Sequence, residues 1–121
     1  MITTEVIAEP SSEAGAVLQL LLNAPSLSQY YHFDVRPQRK PLRIRNQTAT
    51  IINPGEVTVG GEAIEISRDE GPNSLDITNF LVEDEHARIA FAFRVEGIRG
   101  SASLSKQQGA WRLDEINVAE H

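Results

Sequence analysis

The last third of the chain, residues 87–118, predicts three consecutive antiparallel strands and constrains the fold more than any other stretch. It reads ARIAFAFRVEGIRGSASLSKQQGAWRLDEINV. Large apolar side chains recur at every second position of the first strand, at Ile89, Phe91, Phe93 and Val95. This period of two is typical of a strand with one buried and one open face. Glycines at 97, 100 and 109 predict the two chain reversals, because glycine accepts the positive φ that tight turns need.

The apolar pattern changes parity inside the last of these strands. Trp111 and Leu113 are two residues apart and share one face of a regular strand. The next apolar pair, Ile116 and Val118, would then point to the opposite face. One extra residue near Asp114–Glu115 returns this second pair to the first face, so we predict a β-bulge there.

The turn and packing residues of this stretch carry a resemblance to known families. A strand, a G-x-x-G turn, a small-residue strand and a G-x-W-x-L segment before an apolar tail resemble the Tim21/Coa1-type assembly domains. The pattern is also similar to the final strands of the cystatin-like NTF2 superfamily. The matching residues are Val95, Gly97, Gly100, Leu104, Gly109, Trp111, Leu113, Ile116 and Val118. The resemblance implies an N-terminal helix on a curved sheet but no particular function, since such scaffolds host enzymes and binding modules alike.

The rest of the chain predicts one or two helices followed by more strands. Ser12 is a suitable N-cap, and apolar residues at helical spacing predict a helix from Ser12 to about Asn23. We expect residues 1–10 to be flexible or extended, and Ser26 could cap a second, short helix. At 121 residues the chain forms a single domain, 1–121. The predicted class is α+β, with the helix packed on a strongly bent antiparallel sheet of about six strands, NTF2/cystatin-like.

Composition excludes several classes of function. The chain has no cysteine, which rules out disulfides and thiolate chemistry. A net charge of −6 disfavours nucleic acid as a partner, because phosphate neutralisation dominates that affinity. The first residues lack a basic n-region, and the longest apolar run, 16–22, is too short to cross a bilayer. We therefore expect a soluble, cytoplasmic protein that binds no membrane. Three histidines without a ligand spacing predict no metal, and we expect no cofactor.

Tyr31, His32 and Asp34 are the catalytic candidates. In NTF2-like enzymes, which the chain resembles, residues between helix and sheet line a pocket and serve as acid, base or oxyanion donor. A histidine oriented by a carboxylate such as Asp34 could accept a proton near neutral pH. The simpler interpretation places Tyr30 and the neighbouring Phe33 in the core and leaves His32 and Asp34 on a loop. We favour that interpretation and do not expect an enzyme.

A basic segment provides the candidate site for a partner or an anion. Its residues are Arg36, Arg39, Lys40, Arg43 and Arg45, with no acid between positions 35 and 47. Arginine suits bidentate capture of carboxylates or phosphates. The nine acids between positions 48 and 86 offer an alternative, in which the segment pairs internally across neighbouring strands. The sequence leaves both open.

The sequence is compatible with two functions. The first, which we prefer, is a non-enzymatic binding, assembly or inhibitor (immunity-type) domain that acts through protein–protein contact. The alternative is an NTF2-like pocket protein that binds, isomerises or dehydrates a small molecule. A homodimer through the open sheet face is compatible with either function. A filled core with an exposed arginine patch favours the first function, whereas a deep cavity that holds His32 or Asp34 favours the second.

Overall fold

The computed structural model describes residues 3–67, 71 and 73–120, the side chains of residues 3–12 excepted. Two helices, α1 (Thr3–Leu22) and α2 (Pro25–Ser28), precede the strands. The strands of the described residues are β1 (Arg43–Asn46), β2 (Thr58–Val59), β3 (Glu62–Ala63), β4 (Glu65–Ser67), β5 (Leu75–Val82), β6 (His86–Phe93), β7 (Ile98–Gln107) and β8 (Ala110–Glu120). They form a six-stranded sheet and a separate two-stranded one, which confirms the α+β class.

Helix α1 ends where the sequence predicts but begins earlier. Its last residue is Leu22, and Pro25 starts the next helix. Its first described residue is Thr3, so residues 3–10 are helical rather than extended, and the predicted N-cap lies inside the helix. Once the turns after residue 10 are helical, extending the helix toward the N-terminus adds one backbone hydrogen bond per residue without a new nucleation cost. Residues 1 and 2 and the Ser12 side chain lie outside the described part.

The large sheet has the order β4-β1-β5-β6-β7-β8 and is mixed rather than purely antiparallel. Strands β5 to β8 form an antiparallel meander, which confirms the predicted C-terminal strands. Strand β1 is parallel to both of its neighbours, β4 and β5. Parallel neighbours need a long crossover, and residues 47–64 supply one between β1 and β4. This crossover carries the small β2–β3 hairpin, which turns at Gly60 and Gly61, both with positive φ.

The predicted bulge in β8 is present. Leu104 pairs with Leu113 whereas Ser103 pairs with Glu115, so the register shifts by one residue at this point. One detail of the first meander strand differs from the prediction. Val95 lies in a 3₁₀ turn (Arg94–Glu96) and is 41% exposed, because β6 already ends at Phe93.

The core lies between α1 and one face of the large sheet, which we call the inner face. The helix contributes a fully buried stripe of Val17, Leu18, Leu21 and Leu22. The meander contributes the inward side chains of alternate positions, among them Leu75, Ile77, Ile89, Phe91 and Phe93. Each of these side chains is at most 2% exposed, so the space between helix and sheet is filled by side chains.

Polar contacts fix the position of α1 on the sheet. The Gln19 side chain donates to the Thr58 carbonyl at 2.7 Å and accepts from the Thr58 amide at 2.9 Å. Six residues earlier on the helix, the Glu13 carboxylate accepts from Lys106 Nζ at 3.0 Å and from Trp111 Nε1 at 3.2 Å. These contacts tie the helix to the β2–β3 hairpin and to the β7–β8 hairpin.

Gly100 on β7 is required by the packing around it. A Cβ at this position would collide with the backbone carbonyl oxygen of Asn117 and lie 2.8 Å from the ring tip of Phe91. Gly100→Ala is expected to lower the free energy of unfolding by about 2 kcal/mol, because backbone and buried ring have little room to move.

Equilibrium urea denaturation measures this effect. Gly55→Ala is the matched control, since a Cβ there meets only Asn53 Oδ1 at an ordinary 3.6 Å. The control is expected to stay within about 1 kcal/mol of the parent. Equal stability of the two variants would contradict the assigned role of Gly100.

Candidate functional site

Arg39, one of the residues predicted to bind a partner, is buried inside the protein. Its side chain is 5% exposed and its Nη2 lies 3.0 Å from Glu96 Oε2. Its Nη1 donates to the carbonyls of Tyr30 and Tyr31 at 3.3 and 3.1 Å. The guanidinium also lies 5.7 Å from the ring centroid of Phe93. Arg39 therefore anchors the chain between α2 and β1 to the 3₁₀ turn after β6.

His32 shares the Glu96 carboxylate with Arg39. Its Nε2 lies 3.3 Å from Glu96 Oε1, and its side chain is 42% exposed. The backbone of His32 has φ 55°, a left-handed conformation that non-glycine residues rarely adopt. Asp34, the predicted orienting carboxylate, is exposed and makes no hydrogen bond within the described part. The structure thus provides a histidine–carboxylate pair, but with a partner 64 positions away in sequence rather than two.

Tyr31 is a core residue. It is 2% exposed, and its hydroxyl donates to the Leu22 carbonyl at 2.8 Å. Burial raises the pKa of Tyr31 far above its ordinary value, because the phenolate would lose its hydration. Its ring packs edge-on against Phe93, with centroids 5.9 Å apart. These contacts assign Tyr31 a packing role and leave no exposed hydroxyl for chemistry.

Of the other basic side chains in the segment, some contact neighbouring residues and one is free of described partners. Arg43 Nε lies 3.3 Å from Glu65 Oε1 on the adjacent strand β4. Lys40 Nζ lies 5.6 Å from the ring centroid of Phe33. Arg36 is exposed, and its side chain makes no hydrogen bond or ion pair with any described residue. The structure therefore places the five basic residues in different environments rather than on one continuous patch.

Arg45 belongs to a buried charge cluster around Asp76. The Asp76 carboxylate is 2% exposed, with Arg94 Nε at 3.3 Å and Arg45 Nη1 at 3.9 Å from Oδ2. The Ser74 hydroxyl lies 3.5 Å from Oδ1. Sequence reasoning did not single out Asp76, although its position between Leu75 and Ile77 in a predicted strand was a signal. A lone acid in an apolar strand needs a cationic partner when it is buried.

The opposite face of the meander, which we call the outer face, is uncovered by any described helix or loop. Its central strands carry small or polar side chains at the outward positions: Ala90, Ala92, Ser101, Ser103, Ser105, Asn117 and Ala119. These side chains leave two depressions. One of about 610 Å³ includes Thr78, Ala92, Arg99, Ser101 and Asn117 in its lining. The other, of about 490 Å³, includes Leu81, Glu83, His86, Arg88 and Asp114.

Charged side chains on the outer face lack internal partners. Arg88 and Arg99 are exposed, and neither side chain makes a hydrogen bond or ion pair with another residue of the described chain. The same holds for Asp114 and Glu115 at the bulge of β8. Neither depression includes His32 in its lining, and nor does a third cavity, of about 550 Å³, along the β1–β4 edge. The outer face, with its free arginines, is therefore the candidate functional site.

No group of three histidine, aspartate or glutamate side chains is placed to hold a metal ion within residues 3–67, 71 and 73–120. His121, one of the three histidines, lies outside the described residues. Neither helix of the described chain is long and apolar enough to cross a membrane.

Comparison with known proteins adds no assignment. No protein-family model matches the chain, and no curated protein or solved structure is significantly similar to it. The NTF2/cystatin-like likeness therefore stays a prediction. The function has to be inferred from the chemistry of the outer face and of the His32–Glu96 pair.

Arg39 and Arg36 are expected to respond differently to substitution. Arg39→Met leaves the partly buried Glu96 without its guanidinium and two carbonyls without a donor. It is expected to lower the free energy of unfolding by about 3 kcal/mol. Arg36→Met removes an exposed charge and is expected to change the free energy of unfolding by less than about 0.5 kcal/mol. Urea denaturation followed by Trp111 fluorescence measures both variants, and comparable losses would contradict the anchoring role of Arg39.

Proposed function

We propose that this chain is a non-enzymatic protein-binding domain, of the assembly or inhibitor (immunity-type) class, that contacts its partner through the outer face of β5–β8. The observation that carries the proposal is the contrast between the two faces of the sheet. The inner face is filled by α1, whereas the outer face presents Arg88 and Arg99, whose side chains have no partner among the described residues, above a floor of small residues.

The filled core supports a binding domain over a pocket protein. An NTF2-like enzyme needs a cavity between helix and sheet, and here Leu18, Phe91 and Phe93 occupy that space with at most 2% exposure. Tyr31 is committed to the Leu22 carbonyl, so one of the three catalytic candidates contributes only to packing. What remains exposed is the outer face with Arg88 and Arg99, and arginine is one of the residue types enriched at protein interfaces.

The chemistry of the outer face indicates what it would recognise. Arginine presents a planar fork of donors that matches a carboxylate. The alanines and serines around Arg88 and Arg99 let a partner approach the strands closely. These two guanidinium groups are cationic positions on a chain whose net charge is −6. Such local complementarity governs the specificity and the rate of association.

Charge reversal on the outer face tests this proposal. The double variant Arg88→Glu/Arg99→Glu is expected to lose a stoichiometric partner that the wild-type chain retains in affinity purification with mass spectrometry. Both side chains are exposed and unpaired, so the variant is expected to unfold at the wild-type urea midpoint.

Arg36→Glu and Arg43→Glu are the controls, since each reverses one charge on the basic segment. We expect both controls to keep the partner. Loss of the partner from the controls alone would move the binding site to the basic segment. Retention of the partner by the double variant would remove the outer face as the binding site.

A second candidate function rests on the pair formed by His32 and Glu96. An NTF2-like pocket protein that binds, isomerises or dehydrates a small molecule requires an oriented base, and Glu96 orients the imidazole of His32 from 3.3 Å. The left-handed backbone of His32 is the kind of local strain that is found at functional sites.

Thermal stabilisation by a panel of small carbonyl and hydroxy acids tests this alternative. If it is right, a compound raises the melting temperature of the wild type and not of His32→Gln, while Asp34→Asn behaves as the wild type. No stabilisation by any compound, or equal stabilisation of His32→Gln, would leave the pair with a structural role.

A further inference from the structure

We propose that the partner of the outer face is a second copy of this chain, stacked face to face about a two-fold axis. This inference rests on the proposed function, since it assumes that the outer face is a protein-binding surface. It goes further because it assigns the occupant and the residues that meet across the interface.

The strand register arranges the outer face in rows that run across β6, β7 and β8. Each row takes one outward residue from each strand. The rows are Ala92–Arg99–Ala119, then Ala90–Ser101–Asn117, then Arg88–Ser103–Glu115, and last His86–Ser105–Arg112. The second row is small and uncharged, and it separates a row that contains Arg99 from a row that contains Glu115.

Charge is distributed unevenly along the strands of this face. The end that carries Arg99 also holds Arg45 and Arg94, which neutralise the buried Asp76. At the other end, the β5–β6 turn contributes the acids of residues 83–85, and the β8 bulge contributes Asp114 and Glu115. These acids outnumber the two arginines at that end, Arg88 and Arg112. One face therefore presents a positive end, a neutral middle and a negative end.

A two-fold axis through the neutral row makes this face complementary to itself. Such an axis runs across the strands and carries the Arg99 row of one copy onto the Arg88–Ser103–Glu115 row of the other. Arg99 then lies above Ser103 of the second copy, between Arg88 on one side and Glu115 with the adjacent Asp114 on the other, so two carboxylates outweigh one guanidinium there. Arg88 lies above the small Ala92 of the second copy. By symmetry each contact occurs twice, as an isologous interface requires.

The depressions on the face match this arrangement. Arg99 stands at the lining of the larger depression, while Glu83 and Asp114 line the smaller one. Stacking about the neutral row places the Arg99 guanidinium of one copy over the smaller depression of the other, whose lining holds the carboxylates of Glu83 and Asp114 beside the guanidinium of Arg88. A partner that carries only acids would bring like charges against Asp114 and Glu115. The two-signed face therefore favours a second copy over a uniformly acidic protein.

The size of the face limits the strength of the dimer. Four strands spaced about 4.8 Å apart and some seven residues long offer roughly 20 by 25 Å. This is smaller than the roughly 800 Å² that each partner contributes to a standard stable interface. The net charge of −6 on each copy also opposes association. We therefore expect a reversible dimer, populated in the upper micromolar to millimolar range.

Charge complementation between two variants tests the dimer. Sedimentation velocity over the micromolar to millimolar range is expected to show a reversible dimer of the wild-type chain. Arg99→Glu places like charges opposite each other twice, and so does Glu115→Arg, so each variant alone is expected to be monomeric. Mixed in equal amounts, the two variants are expected to restore the dimer. The new carboxylate at position 99 then faces the new guanidinium at position 115, while the native Glu115 and Arg99 face each other.

Arg36→Glu is the control, because it makes the same charge change away from the outer face and is expected to dimerise like the wild type. Concentration-dependent amide shifts of the wild type, measured by NMR, locate the interface without any substitution. They are expected at the outward positions of β6–β8. A wild type that stays monomeric, a mixture that stays monomeric, or shifts confined to other surfaces would overturn the dimer.

These outcomes differ from failure of the proposed function. A wild type that is monomeric, but loses a separate protein partner on Arg88→Glu/Arg99→Glu, would retain the outer face as a binding surface and reject the second copy. Loss of dimerisation in Arg36→Glu alone would reject the outer face as the dimer interface.

Discussion

A single long helix packs on a six-stranded sheet, and it can cover only one face. The apolar stripe of α1 packs on the inner face, and both contribute fully buried apolar side chains to the core. The other face must then tolerate water or a partner. Because successive side chains of a strand point to opposite faces, each strand separates its packing residues from its surface residues. On β6 this separation places Phe91 in the core and Arg88 on the outer face.

Two internal ion pairs engage Arg39 and Arg45, two basic residues that the sequence predicts to bind a partner. Arg39 connects the chain after α2 to Glu96, and Arg45 helps neutralise Asp76 where a parallel strand joins the meander. Burying these charges costs hydration free energy, which close partners and hydrogen bonds offset. As a consequence, four of the five basic residues in the densest run of positive charge make internal contacts, and within the described residues free guanidinium groups remain at Arg36, Arg88 and Arg99.

The candidate site shows where sequence reasoning succeeds and where it stops. The packing of the tyrosine region followed from residue types and spacing. The partner of His32 did not, because Glu96 lies in a turn 64 residues later. The same is true of Asp76, whose arginines come from β1 and from the turn after β6. Such pairs depend on which strands become neighbours, and no local pattern encodes that order.

Local residue order was sufficient for the features that depend on neighbours in the chain. The meander, its β8 bulge and the glycine turn at positions 60 and 61 all arise from alternation and from the conformational freedom of glycine. Only the packed chain decided that β1 runs parallel to its neighbours, that Arg39 is buried, and that charges of both signs share the outer face. The physical reason is that these features join segments far apart in sequence, whose contacts exist only after the sheet order is set.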